Sequence, residues 1–585
     1  MAFLVSPGVE VKEIDATNVI PAVSTSIGGT AGYFGWGPVG KLISVSSEKE
    51  LASIFGKPSA ASSQYFLPAA GFLKYGQQLK VSRAAPASSK NAASGTEILI
   101  KNRDTLDATS MTSVGDFVAR YPGTLGNSII VSQCTASQYA AWAYKGQFDS
   151  APGTSPWAGA IESSVIEEAS GVTAYKDEIH IIVIDSTGDI SGVKGTILEK
   201  FSHLSQATNA KTVSGSTNYF KDVINNASEW IYVGNVAARA GGAYTPPKAI
   251  SGGSTTAFLD PTGASSSSAA PLTAFTTLLS GGISVETFVA ADMEAALELL
   301  ADVETVDVNL LFAAGDVGAS AVAVNSKLKT IAVSRKDCVA FVSPPIVLTN
   351  GATSTDNTAA VVTYMSSTLN ANTSYCVADS SALYVYDKYH DTYRYIQACG
   401  HIAGLCANTD RVADAWFSPA GETRGQLLGV VKLGLNPTQT NRNDLYKAGV
   451  NPLVSLPGRG TMLFGDKTTQ NRASAFDRIN VRRLFIVLEK AISTASQSML
   501  FEFNDEFTRA NFRNMVEPFL RDVKGRRGIT DFLVICDETN NPGNVVDSNR
   551  FVADIYIKPA RSINFITLNF VATRTGVEFS EIAGQ

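Results

Sequence analysis

The sequence predicts an α+β, multidomain chain: an α/β core, a β-rich module inserted into it, and extended strand arms at both termini. Three observations carry this. An α/β texture over residues 22–90 returns near residue 281, after a stretch rich in Ser, Thr, Gly and Ala with short β-prone runs. The C-terminal third carries long helical periodicities. At each end apolar and polar residues alternate: Val9 and Val11 with Glu10 and Lys12, Val577 and Phe579 with Glu578 and Ser580. That is the period of a half-buried strand.

At 585 residues the chain has room for about three or four domains. Charged residues make up 17%, against about 25% in ordinary globular proteins. With 48 glycines, such low charge suits a surface that meets other protein. The composition excludes a disordered chain, a coiled coil and a collagen. A net charge of −6 argues against a general nucleic-acid binder. Apolar runs such as Ile181–Ile184 fall far short of the ~20 residues a bilayer span needs. The opening MAFLVSPGVEVKEID has no basic n-region, so no signal peptide is readable.

The elements follow in order. Residues 1–21 form the N-terminal arm: Ser6-Pro7-Gly8 signals a turn, and the strand pattern around Val9, Val11 and Ile14 needs a sheet to join. Residues 22–90 with 281–348 form one split α/β domain. Its expected strands are Ala31–Phe34, Val306–Phe312 and Cys338–Val342. Its expected helices begin at Ser46-Ser47, with acids in the first turn, and cover Gln64–Tyr75, Asp292–Leu300 and Ala321–Val333. Residues 91–280 are the inserted β-rich module, with Ile179–Ile184 as a strand and Ser251–Ala270 as a low-complexity loop. A Thr/Ser/Asn/Gly stretch at 349–358 marks a boundary. Residues 349–565 form the C-terminal core domain. One helix face there is Leu484, Leu488, Ala491, Ile492, Ala495 and Met499. A second is Phe512, Met515, Val516, Phe519, Leu520 and Val523, with Pro518 expected to kink it. Strands are expected at Asp531–Cys536, Phe551–Ile557 and Ile563–Ala572, and residues 566–585 form the C-terminal arm.

No motif supplies chemistry. Gly35-x-Gly37-x-x-Gly40 spells a dinucleotide fingerprint, but Pro38 removes an amide and Lys41–Val45 reads as strand, which leaves a Gly-rich turn. In Gly460–Thr468, Asp466 stands where Walker A requires glycine. Six dispersed Cys with no C-x-x-C pair read as buried free thiols. His390 lies beside Asp387 and Asp391 in a Tyr-rich stretch that suits an interface better than a metal. No catalytic, cofactor-binding or metal site is expected, and no cofactor.

Charge is uneven. Residues 441–530 carry net +6 and the remainder −12. The basic positions Arg478, Arg482, Arg483, Lys490, Arg509 and Arg513 read as one surface for an acidic partner, with Arg509 and Arg513 facing away from the Phe512/Val516 stripe. Aromatics interleaved with them fall on the apolar stripe, so no base-stacking platform is evident.

Several segments resemble one family in order. From Ala413, ADAWFSPAGETRGQLLGV is similar to its W-x-x-P-A-G-x-x-R-G segment. NDLYKAGVNPLVSLPGRGTMLFGDK (443–467) resembles its L-x-x-x-G-I-N-x-I…G-x-G-x-x-x-W-G segment, with Phe464 for Trp. NVRRLFIVLEKAI (480–492) and FEFNDEFTRANFR (501–513) resemble its N-V-R-R-L and F-x-P-N-x-x-x-x-W elements, with Phe512 for Trp. SPGVEVKEID and GYFGWGPVG match near the N-terminus. This is the contractile tail sheath family of bacteriophages, shared with pyocin-like particles and type VI secretion sheaths.

The resemblance implies a structural subunit, not an enzyme. It would polymerise as six-fold rings in a helical array around an inner tail tube, and contract to drive the tube through the host envelope for genome delivery. Its partners would be other copies of itself, the inner tail tube protein, and baseplate and tail terminator proteins, with no nucleic acid and no direct membrane insertion. It would be assembled in the host cytoplasm and reside in the virion tail. Arms carrying Val9, Val11, Ile14, Val577 and Phe579 would exchange into a neighbour's sheet, and residues 91–280 would face outward. The six basic residues above would face the tube. A single chain of this length favours a phage over a type VI system, which splits the fold over two chains.

Overall fold

The computed structural model describes residues 24–153, 178–206, 210–234, 275–315, 320–350 and 353–564. Two compact units divide them. One is Ser24–Val412 with Pro419–Ile479; the other contains Ala413–Ser418 and residues from Asn480 onward. The arm residues Val9, Val11, Ile14, Val577 and Phe579, and the tract Ser251–Ala270, lie outside the described residues.

In the larger unit, β1 (Gly28–Tyr33), β2 (Leu42–Val45) and β3 (Leu79–Ala84) come first. The inserted stretch supplies β4 (Phe117–Ala119), β5 (Ile129–Thr135), β6 (Glu178–Asp185), β7 (Thr196–Ser205), β8 (Ile231–Val233) and β9 (Phe275–Leu278). Then come β10 (Leu310–Phe312), β11 (Val339–Val342), β12 (Cys376–Asp379), β13 (Leu383–Asp387), β14 (Thr392–Ile396), β15 (Val430–Leu433), β16 (Val450–Asn451), β17 (Leu453–Leu456) and β18 (Gly460–Leu463).

Seven strands form the central sheet in the order β16-β12-β11-β10-β1-β3-β2. β2 runs antiparallel to β3, and the other pairs are parallel. A parallel sheet needs apolar cover on both faces. On β1, a Cβ added to Gly28 would lie 2.6 Å from Phe72, and one on Gly29 would lie 2.8 Å from Val308. Glycine therefore permits the covering layers to reach the backbone from both sides. On one face the helices Ser63–Leu73 and Cys399–Val412 pack together. Their approach is close: a Cβ on Gly71 would fall 2.3 Å from the His401 ring, and one on Gly400 would fall 2.0 Å from the Pro68 carbonyl oxygen. On the other face, Met293, Leu297, Val324, Leu328 and Ile331 pack against Ala31, Leu311 and Ala340.

The glycine-rich loop after β1 is a turn whose carbonyls grip a cation. Arg83 is buried and donates from Nε to Phe34 O (2.9 Å), and from its terminal nitrogens to Gly37 O (2.6 Å) and Pro122 O (2.6 Å). A phosphate cradle presents amide N–H groups instead, so the polarity here is the reverse of a nucleotide site. The bond to Pro122 O ties the inserted stretch to the core.

That stretch forms an antiparallel sheet β7-β6-β5-β9 and a ribbon β4-β8. β6 is buried along its whole length, as expected for the run Ile179–Ile184. His180 on it stacks on Phe148 with ring centroids 4.3 Å apart. Its Nδ1 accepts from the His203 amide (3.0 Å) and its Nε2 donates to Ser150 O (2.9 Å), so it is a satisfied core residue. The six cysteines are buried thiols outside any disulfide.

One expected boundary does not hold. The central sheet continues past residue 349 through β12 and β16, and the second unit begins at Asn480. The Ser/Thr/Asn bias at 349–358 reflects helix capping: the Thr353 side chain accepts from the Asp356 amide at the start of the helix Ser354–Thr363 (3.1 Å). The near-Walker segment is also structural. Gly460–Leu463 pairs with β17, and Asp466 accepts from Arg478 (3.0 Å).

Two buried groups in this unit titrate in opposite senses. Burial pushes the His401 imidazole down to about 3, so the folded chain refuses a proton that the unfolded chain takes up below about 6.5. Burial pushes the Asp379 carboxyl up to about 7 against the lowering effect of its bonds from Ser343 and the Ser381 amide, so the folded chain keeps a proton that the unfolded chain releases above about 4. As pH falls from 6.5 to 4, His401 lowers stability and Asp379 raises it, each by about 1.4 kcal/mol per unit. The wild type should therefore gain on an Asp379→Asn variant across that range, and the variant's denaturation midpoint should fall steadily. Parallel midpoints at pH 7 and pH 4 would refute the assignment.

Candidate assembly surfaces of the C-terminal unit

The smaller unit is built on two helices and a hairpin. The helix Ile479–Ser496 buries Leu484, Leu488, Ala491 and Ala495. The helix Glu506–Gly525 buries Phe512, Met515, Val516, Leu520 and Val523, and it is unbroken through Pro518. Asp505 caps it by accepting from the Thr508 amide (2.8 Å), and that bond holds the carboxyl below its usual range. Phe512 meets Phe551 edge-on, with centroids 5.5 Å apart.

The strands β19 (Ile529–Ile535) and β20 (Asp554–Pro559) pair antiparallel. Phe532, Val534, Ile555 and Ile557 face the helices. Leu533 and Tyr556, directly opposite each other, face solvent at 55% and 58% exposure. Buried Asn541 closes the connecting loop, accepting from the Val552 amide and donating to its carbonyl (2.8 and 2.7 Å). Among the described residues the hairpin is a two-stranded sheet, so each strand keeps one open edge. The segment Ala413–Ser418 returns to this unit. Trp416 Nε1 donates to Arg526 O (3.1 Å), the Arg526 guanidinium lies 5.2 Å from the Trp416 ring centroid, and Arg526 also pairs with Asp414. The backbone at Gly528 lies against the same ring.

The expected basic surface is only partly a surface. Arg482, Arg483 and Arg509 are buried, at 6%, 4% and 8% exposure. Arg509 lies three residues before Phe512, on the same stripe and not on the opposite face, and it donates to Asn504 Oδ1 (3.0 Å). The first helix is buried all round its opening turns. Val481 is buried on the Leu484 stripe, while Ile479 and Ile486, two turns apart, are buried on a face away from it, and that signal was readable in the sequence. Arg478 belongs to the larger unit, where Asp466, Asp477 and the Tyr446 hydroxyl hold it. Lys490 and Arg513 are half-buried. Unmarked in the sequence reading were the phenylalanines 501, 503 and 507, all exposed. Among the described residues no His/Cys/Asp/Glu group could hold a metal ion, and no helix is long and apolar enough to cross a membrane.

Comparison with known proteins gives this arrangement its class. Residues 289–469 match the phage tail sheath protein central domain, and 471–573 match the phage tail sheath C-terminal domain. The chain is 34% identical to the tail sheath protein of Vibrio phage KVP40 over 681 aligned residues, covering 99% of this chain and 100% of that one. It is 32% identical to the tail sheath protein of Enterobacteria phage T4, covering 99% of both. The fold is similar to the crystal structure of a sheath tail protein from Desulfitobacterium hafniense (TM-score 0.51, 12% identity, 94% of this chain and 100% of that one). It is also similar to the anti-feeding prophage helical sheath in its contracted state (TM-score 0.50, 12% identity, 98% and 100%). The chain belongs to the phage tail sheath family. It is a structural protein of a contractile tail, and tail sheath proteins are components of the virion tail.

Trp416 is the clasp of this unit. Its replacement by Ala should cost about 3–5 kcal/mol locally through the cavity left beside Gly528 and Arg526. Hydrogen exchange at the amides of Ile529–Ile535 should speed up accordingly, and unchanged protection there would show that the ring is dispensable.

Proposed function

We propose that this chain polymerises as six-fold rings in a helical array around an inner tail tube, and that the array contracts to drive the tube through the host cell envelope. Full-length identity to phage tail sheath proteins carries this reading. The subunit is assembled in the host cytoplasm without a catalytic role. Baseplate and tail terminator proteins bound the array at its ends. The runner-up, a pyocin-like particle or a type VI-like device, draws on the fold likeness to the anti-feeding prophage sheath.

Subunits are linked by their arms. A two-stranded sheet is marginal by itself, and open edges offer unpaired N–H and C=O groups to an added strand. The β19–β20 hairpin presents two such edges. Arms carrying Val9, Val11 and Ile14 at one end, and Val577 and Phe579 at the other, supply alternating strands of matching type. Main-chain pairing of this kind survives rotation of the bodies it joins. Contacts between bodies then exchange between two packings, extended and contracted. Attachment to the tube falls to Lys490 and Arg513, the two members of the basic set in this unit that are only half-buried. Exposed charge pairs are individually weak, which suits a contact that must release in one event.

Deleting residues 1–18 should leave a folded protein that forms no tubes by electron microscopy; tubes of normal repeat would sink arm exchange. The double reversal Lys490→Glu and Arg513→Glu should preserve the circular dichroism spectrum and abolish co-assembly with the tube protein. Persisting co-assembly would move the attachment elsewhere.

A further inference from the structure

The loop joining the two helices of the smaller unit presents an apolar knob. Leu500, Phe501, Phe503 and Phe507 lie within eight residues, and their exposures are 63%, 104%, 84% and 72%. Together they offer on the order of 500 Å² of apolar surface. The largest patch on an ordinary monomer is about that size and is often functional. A standard interface buries roughly 800 Å² per partner, so the knob fills more than half of one. It is held in place: Asn504 donates to Arg550 O (2.8 Å) and accepts from Arg509 (3.0 Å), and Phe501 sits at a φ of 73°, a region that non-glycine residues disfavour. A loop fixed in this way pays little ordering cost when it docks.

Charge identifies the occupant. The knob segment 501–507 includes Glu502, Asp505 and Glu506 and carries net −3. The opposite end of the same helix, residues 521–527, includes Arg521, Lys524, Arg526 and Arg527 and carries net +3. Beside it, Lys524 and Lys558 reach Asp531 (3.2 and 3.9 Å) on the hairpin that exposes Leu533 and Tyr556. Acids at a helix N-terminus and bases at its C-terminus also complement the helix dipole. That accounts for the charges, but leaves the exposed phenylalanines without a role.

We infer that the acidic aromatic knob of one copy docks on the basic end of this helix, and on the Leu533/Tyr556 face, of a second copy. The two patches lie at opposite ends of a 20-residue helix, so each copy offers one of each. Such a head-to-tail contact repeats from copy to copy, giving a ring where the rotation closes and a filament where it does not. It uses the outward face of the hairpin, not its edges, so it is compatible with arm addition. The inference rests on the reading of this chain as a self-polymerising sheath subunit.

The test uses two full-length charge-reversed chains. One carries Glu502→Lys and Glu506→Lys; the other carries Arg521→Glu and Arg527→Glu. The cap Asp505 and the Arg526 clasp stay intact. Each chain alone should sediment as monomer under conditions in which the wild type forms tubes, and an equimolar mixture should assemble again. Wild-type assembly by either chain alone, or a mixture no better than its parts, overturns the docking. A second variant, Phe503→Cys with Leu533→Cys, guards against misfolding of the first pair. Treated with a short bis-maleimide it should give a ladder of oligomers, whereas either single variant stops at dimers; the native thiols are buried. Absence of a ladder in a preparation that still forms tubes overturns the docking and leaves the sheath reading standing. Absence of tubes from the wild type, with a ladder from the cysteine pair, overturns the reading that this chain polymerises into tubes by itself and leaves the docking.

Discussion

The larger unit depends on how closely its layers approach β1. This strand lies between β3 and β10, whose residues are more than two hundred positions apart in sequence. Gly28 and Gly29 let Phe72 and Val308 close on its backbone from opposite faces, and Gly71 and Gly400 let the covering helices close on each other. Larger side chains would hold the layers apart and cost the dense packing of the interior. Because β1 bridges early and late segments, that contact makes 28–84 and 310–451 one sheet and leaves the intervening module attached at its rim. Arg83 holds the loop after β1 through the Phe34 and Gly37 carbonyls and joins it to the module through the Pro122 carbonyl.

Much of this was legible because its signal is local. The capped start at Ser47, the helical stripe from Phe512 to Val523 and the apolar run of β6 each follow from periodicity or capping. The failures share one cause: a side chain's fate depends on neighbours distant in sequence. The Ser/Thr/Asn stretch near 350 has a boundary's composition, yet caps a helix inside a continuing sheet. Arg482, Arg483 and Arg509 carry charge that reads as surface, yet long aliphatic stems allow an arginine to be buried, and these three are. Phe501, Phe503 and Phe507 have the composition of a core and lie outside it.

The two units solve opposite problems. The parallel sheet is covered on both faces and offers little to a partner. Among its described residues the smaller unit keeps open strand edges, an exposed cross-strand pair and a protruding aromatic loop, each of which is a liability in an isolated monomer. In a subunit whose work is done in an array, these features are where free energy remains to be gained by association.

The six buried cysteines have a consequence for redox chemistry. Burial raises the thiol pKa of Cys134, Cys338, Cys376, Cys399 and Cys536, to about 12 for Cys134, Cys376 and Cys399, so their reactive thiolate is scarce at neutral pH. In an oxidising medium this subunit presents no exposed cysteine thiol among its described residues. Neighbouring subunits therefore do not become covalently stitched as the particle ages, and an array that relies on bodies sliding past one another keeps its freedom to move.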